Sequence, residues 1–492
     1  MDSFINKVNK NKLALFLTIL FLFTISLQSL FKENHVLLIY ALKNFEAFKN
    51  LNNDFVTEFT NHVPIYTGIT FFLSKYFSLK SLYLLHYTLF FICTFAIFKI
   101  FDKIFKFKNF EIIIWFTLYF ILFHENSYFT GVAGQSVINQ TLQPSSFGIF
   151  FFVSIAFYLN SYFVISILSL CVAVYFHPTY LIHSIFFISG YLIFFLRDEN
   201  YKGFLKLSII YILLIMPVIF FLYKNFVIDE NQINELAQKI LVEKRIPHHA
   251  NITHWFSYKD LISIFILFSG LFLIRKNQFI FIPIFTVTIL AISITLIQYF
   301  SNNYFIALLF PWRSSVFLMP LTSLIILSFF IKKIKLNKNI LNQSSLVLFI
   351  FIFSALIIKN IFIEEKYNKI LKNKKNLFEF INNTKGINLL VAPTYLEDIR
   401  LNSSVPIFVN WKFHAFKNDE IIEWYERIKI VNQFYGAKNK DDQYTMLNEI
   451  NSIQNTSHIL VDLSKQKKLL IDCKIINFNK KYFLYDSKVC EN

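Results

Sequence analysis

Between Phe31 and Tyr66 the chain gathers Glu33, His35, Glu46, Asp54, Glu58 and His62, directly after its first apolar run. A carboxylate placed beside a hydroxyl can take its proton as a general base. A histidine or arginine nearby can hold a phosphate by charge-assisted hydrogen bonds. Further polar groups follow in short bursts between apolar runs. HENSYFTGVAGQSVINQTLQPSS supplies His124, Glu125, Gln135, Asn139, Gln140 and Gln143, YFHPTYL supplies His177, and FPWRSSVF supplies Arg313. Ionisable side chains at membrane depth are costly and usually retained for use. The pattern therefore predicts a polar cavity beside short helices.

Each group also has a plainer reading. Glu33 and His35 could be interfacial groups just past a span, and Asp54 in LNNDF could cap a helix. His177 before Pro178 could close a helix end, and Arg313 could snorkel to lipid headgroups. His248, His249 and His254 in HHANITH form a weak metal pattern without a fourth ligand, so they read as solvated loop histidines.

The elements that must position these groups are membrane helices. Of 492 residues, 55% are hydrophobic, 64 are Phe and only 16% are charged, where a soluble domain carries about 25%. Apolar runs recur from Leu13 to Ile358, and each approaches the ~20 residues that span a bilayer. The net charge of +17 comes from Lys and Arg clusters between those runs. Such clusters retain loops in the cytoplasm, and no basic stripe with interleaved aromatics points to nucleic acid.

Lys7, Lys10 and Lys12 place the N-terminus inside, with a retained first span at 13–31. If His62–Phe77 lies in the interface or re-enters, every later basic loop also falls inside. Ten more spans then follow at 82–101, 110–123, 146–160, 162–176, 180–196, 205–223, 258–274, 279–298, 313–331 and 340–358. The expected fold is an all-α polytopic membrane domain of eleven helices over 1–358, with an outward loop at 32–80. A small α/β soluble domain over 359–492 would lie outside a bacterial inner membrane. The spans at 110–123, 146–160 and 162–176 are short, and short helices of this kind usually surround a cavity.

In the tail, INLLVAPTYL and VPIFVNW read as strands, DEIIEWYERIKIVNQF as an amphipathic helix, SHILVDL as a strand and KIINFNKKYFLYD as a hairpin. Arg400, Asn410, Trp411, Lys412, Trp424 and Arg427 could face a substrate. Alternatively, Trp411 and Trp424 pack strand against helix. Cys93 and Cys171 sit in apolar runs as packing residues, whereas Cys473 and Cys490 could bridge the last hairpin or stay unpaired, since spacing alone does not fix their distance.

A first span, a long acidic outward loop, many further spans and an outer α/β domain resemble the glycosyltransferase C-fold (GT-C) superfamily. The resemblance implies transfer of a sugar from a polyprenyl-phosphate lipid donor to a cell-envelope acceptor. It implies Asp54 or Glu33 as the base, or as ligand of a divalent cation. His35, His177, Arg313, Gln140, Arg400 and Lys412 are then the candidates for holding substrate. No DxD or ExD pair and no WWDYG-type motif is present. More narrowly, ENHVLLIYALKNFEAFKNLNNDF, HPTYL and IRLNSSVPIFVNWKFHAF…EIIEWYERI resemble a bacterial family of multi-pass proteins of unassigned function. Two other readings compete, a transporter or flippase of an envelope intermediate and a non-catalytic assembly protein. A transporter needs ionisable groups near span midpoints, and these midpoints carry almost none.

Overall fold

Runs of Leu, Ile and Phe with few breakers fold as helices along most of the first three quarters of the chain. The computed structural model describes residues 9–27, 37–124, 130–227, 231–333, 338–396 and 398–491. Its helices are α1 (Lys10–Leu22), α2 (Pro64–Phe77), α3 (Ser81–Phe105), α4 (Asn109–His124), α5 (Phe150–Leu159) and α6 (Phe163–Phe176). They continue as α7 (Leu181–Arg197), α8 (Tyr201–Leu222), α9 (Tyr258–Ile274), α10 (Gln278–Ser301), α11 (Ser315–Lys333) and α12 (Lys338–Asn382).

Six of the described helices are long and apolar enough to cross a membrane: Ser81–Phe105, Pro178–Arg197, Tyr201–Phe226, Gln278–Ser301, Tyr304–Lys333 and Ser344–Glu365. The chain is thus a membrane protein, and six of the eleven expected spans are supported by length and composition among the described residues. Helices do stand at the other five positions, as α1, α4, α5, α6 and α9. With 10 to 17 residues each, they reach at most about 25 Å against a hydrocarbon core of about 30 Å. The break between α5 and α6 is local, because Ser161 takes a left-handed φ of 65° and stops the helix. The α2 helix, expected at the interface, has 14 residues and is likewise too short to span.

Chain contacts define two units. The first comprises 1–27, 77–223 and 246–364 and contains α1, α3 to α11 and the first part of α12. Its helices approach closely where side chains vanish. A Cβ on Gly190 of α7 would lie 2.7 Å from Cα of Pro283 in α10. The polar groups inside this unit bond to one another: Ser154 Oγ lies 2.9 Å from Ser166 Oγ and 3.0 Å from the Tyr191 hydroxyl.

The second unit comprises 28–76, 224–245 and 365–492. Where the sequence reading divides the chain once, at 358/359, the structure carries α12 unbroken through that point and interleaves three stretches of chain. The reason is burial: Leu38, Ile39, Leu42, Leu51 and Phe55 of the supposed outward loop are all buried. The unit holds a mixed sheet in the order β1-β2-β4-β3, made of β1 (Leu390–Val391), β2 (His458–Asp462), β3 (Asp472–Phe478) and β4 (Tyr482–Glu491). Parallel β1–β2 and the antiparallel β3–β4 hairpin match the expected strands, and Cys473 and Cys490 are bridged. Leu377, Ile381, Leu390, Leu460 and Leu484 form the core beneath the sheet.

The helix α13 (Asn418–Gly436) buries Ile421, Trp424, Ile428 and Val431, the face its periodicity predicts. A further helix, α14 (Lys440–Ile453), was not expected. Its signal is the N-cap, where the Asn439 side chain accepts from the amide of Asp442. One expected strand does not form. VPIFVNW makes a single bridge, Leu390 to Ile407, through the Leu390 and Phe408 amides, and the Ile407 amide is bonded elsewhere.

Candidate functional site

That amide donates to Asp54 Oδ2 at 2.8 Å, from 353 residues away. Asp54 stands between two turns of 3-10 helix, Glu46–Asn53 and Phe55–Glu58, and its Oδ1 accepts from the Val56 amide at 2.9 Å. Oδ2 also accepts from Arg400 Nε at 2.7 Å. The side chains of the pair are 0% and 1% exposed. The plainer cap reading of Asp54 therefore holds, with an ion pair added to it. A carboxylate held by three donors and closed off from solvent is not presented to an acceptor hydroxyl. Its geometry is that of a residue fastening the 37–76 segment to the sheet.

Arg400 departs from expectation for the same reason. It lies on the short helix Ile399–Ser403 rather than at a strand end, and Nη2 donates to the Ile407 carbonyl at 3.3 Å. Arg427 is buried too, stacked with its Cζ 3.6 Å above the Phe55 ring and paired with Glu423 at 2.8 Å. Trp424 is 1% exposed and donates to the Asn410 carbonyl at 3.0 Å. Its ring stands 5.5 Å from Trp411, so the packing reading of these two tryptophans applies. Lys412 is half-buried, and its carbonyl accepts from Arg245 Nη2 at 2.6 Å. His62 lies 3.8 Å from the Phe416 ring. Burial pushes its pKa down to about 3. His414, 4.9 Å from the same ring, is also lowered, first by burial and then by the charges of Arg245, His62 and Lys412.

In the first unit, the sequence candidates His177 and Arg313 do meet, at one ring. His177 ends α6, and its carbonyl accepts from the Tyr180 amide at 2.8 Å. Its imidazole is 5.1 Å from the Tyr180 ring. Arg313 lies in the 3-10 turn Pro311–Ser314, which follows Phe310 at a left-handed φ of 50°. Its Cζ sits 5.8 Å from the Tyr180 centroid and 6.0 Å from that of Phe310. Among the described residues, the half-buried guanidinium has no hydrogen-bonding or acidic partner. Ring faces contribute only about 0.5–1 kcal/mol at such sites and leave the charge unneutralised.

Two residues of this cluster were missed. Tyr180 donates to the Ser145 carbonyl at 2.7 Å. His183 is fully buried, with Nδ1 2.8 Å from Ser314 Oγ and Nε2 without a partner among the described residues. The available signal was a histidine in an apolar run two residues after HPTYL. Gln140 is half-buried in the irregular stretch ahead of Pro144, while Glu33 and His35 lie outside the described residues. The described histidines, cysteines and acids offer no group of three that could hold a metal. His248 and His249 face each other at 4.1 Å between ring centres.

A cavity of about 580 Å³ adjoins the same turn, lined by Trp312 and Ser315, by Trp255, and by faces of α9 and α10. Its size falls in the ~300–1,000 Å³ range of ligand sites. The wall it exposes is mostly apolar, although Thr253, Thr288, Thr295 and Ser315 contribute to it, so it suits a hydrocarbon better than a sugar.

Comparison with known proteins adds one match. Residues 375–431 fit the model of a domain of unknown function, DUF6798. The matched stretch runs from the end of α12 into α13 and includes Arg400, Ile407 and Trp424, the residues around the buried pair. No curated protein matches the chain.

Proposed function

We propose that the protein is a membrane glycosyltransferase that takes a sugar from a polyprenyl-phosphate carrier and delivers it to a cell-envelope acceptor. The observation that carries this reading is Arg313, a half-buried cation without an acid among the described residues, on the turn that borders a lipid-sized apolar cavity. A charge left partly desolvated and unpaired is expensive unless an anion completes it. A phosphate at the head of a lipid meets that need.

In the proposed reaction the acceptor hydroxyl attacks the anomeric carbon of the donor, and the bond from that carbon to the phosphate oxygen breaks. The electron pair leaves on polyprenyl phosphate, whose new charge Arg313 stabilises. The hydroxyl proton passes to a carboxylate. Asp54, the first carboxylate candidate, is committed to Arg400. His177 and His183, beside the same tyrosine, orient the phosphate.

The test uses purified full-length protein in nanodiscs with a radiolabelled polyprenyl monophosphate. Wild type should prefer the monophosphate to the polyprenol of equal length. Arg313→Gln should lose that preference by roughly tenfold or more, the scale of a charge-assisted pair. Equal binding of the two lipids by wild type, or an unchanged preference in the variant, would refute the reading.

A further inference from the structure

The cavity is shaped along one helix. Thr288, Ala291, Ile292, Thr295, Leu296 and Tyr299 of α10 line it. Their spacing is that of a single helical face and covers about 16 Å at 1.5 Å per residue. Leu296, Tyr299, Phe256 and Phe268 are each more than 40% exposed, so the cavity opens on the apolar flank, where a lipid chain enters directly from a bilayer. The rings of Trp255 and Trp312 lie 5.2 Å apart and both line the cavity. Trp312 is 4% exposed, and neither indole Nε1 has an acceptor among the described residues.

Two buried N–H donors with nothing to bond are costly, and a pure hydrocarbon would leave them so. A tryptophan pair in the wall of an apolar slot suits an amphiphile whose oxygen atoms stop at the rings. We infer that Trp255 and Trp312 are specificity-determining residues that donate to the head oxygen of a single-chain lipid phosphate, with the chain lying along α10. This rests on the reading of the protein as a handler of polyprenyl phosphate and deepens it. It assigns the chain to this cavity and selection of the head to the indoles, beside the charge supplied by Arg313.

Trp→Phe keeps an aromatic ring and removes only the N–H and the second ring, so the fold is retained. The experiment measures equilibrium binding of polyprenyl monophosphate and of the matching polyprenol to full-length protein in nanodiscs. The double variant Trp255→Phe/Trp312→Phe should bind the monophosphate roughly 10- to 100-fold more weakly, since hydrogen bonds to an ionised acceptor are about twice as strong as neutral ones. Its polyprenol affinity should change by less than about threefold. Ala291→Trp, which fills the slot midway along α10, should weaken both lipids together. Wild-type monophosphate affinity in the double variant, or unchanged affinity for both lipids in Ala291→Trp, would overturn the inference. If Arg313→Gln still weakens binding in that case, the proposed function survives and only the indole assignment falls. If wild type shows no preference for the monophosphate, both fall.

Discussion

Replacing Asp54 by Asn separates a fastening role from a catalytic one. In the structure, Oδ2 receives two donors, Arg400 Nε at 2.7 Å and the Ile407 amide at 2.8 Å. Asn keeps one acceptor oxygen, which can serve Val56 or the other two donors, but not both. Its amide nitrogen then faces N–H groups, and Arg400, 1% exposed, keeps a positive charge with no counterion. Removing one partner of a buried pair costs about 3–5 kcal/mol. At about 1.4 kcal/mol per factor of ten, this corresponds to between roughly 10² and a few times 10³ in local opening. Hydrogen exchange by mass spectrometry on the full-length protein reads the effect directly, in peptides covering Val405 to Trp411. Exchange there should speed up by that factor. Asp54→Asn combined with Arg400→Met, which removes both charges, should recover part of the loss. The control is Glu58→Gln, on an exposed side chain of the same segment, which should stay within about 0.5 kcal/mol of wild type. Wild-type exchange in Asp54→Asn would refute the fastening argument. If that same stable variant lost at least ~100-fold in sugar transfer, the general-base role would return to Asp54.

Two further outcomes are expected in the same unit. His62 is held neutral by burial, with a pKa of about 3, and His414 is also lowered. Below about pH 6.5 the unfolded chain binds protons that the native unit does not, so stability is full above that pH and falls as pH drops toward 3. At pH 5 the loss should be about 2 kcal/mol for His62, and His62→Gln should flatten the decline between pH 7 and 5 in denaturant titrations. An unaltered slope would contradict the burial argument. The Cys473–Cys490 bridge should contribute about 3 kcal/mol by restricting the unfolded chain. Mass spectrometry of unreduced protein should find both sulfurs oxidised, and a reductant should accelerate exchange in β3 and β4 before the rest of the sheet; two free thiols would disprove the bridge.

Much of the architecture is written in local pattern. Apolar runs placed helices at all eleven expected positions, although length limits the crossing candidates to six. A 3.6-residue period set the buried face of α13, and alternation with a tight turn set the β3–β4 hairpin and its cysteines. These features depend on neighbours in sequence, and a single stretch carries the whole signal. The first unit's candidate site was partly legible in the same way, because Arg313 and His177 interrupt apolar runs where a charge or imidazole needs a reason. His183 was hidden by sitting inside a run that otherwise reads as a span.

What the sequence alone could not decide is which distant groups satisfy each other. Asp54 looked equally like a cap and a base until Arg400, 346 residues on, was found against it. The same carboxylate takes the Ile407 amide, in a segment that makes one bridge to β1. The loop at 32–80 was placed outward by the lysines ahead of the first span. Its fate was set by Leu38, Leu42, Leu51 and Phe55, which found a core to enter. Such pairings carry no period and no fixed spacing. They exist because a buried charge or apolar ring must find a partner somewhere in the folded chain, and only the tertiary structure determines where.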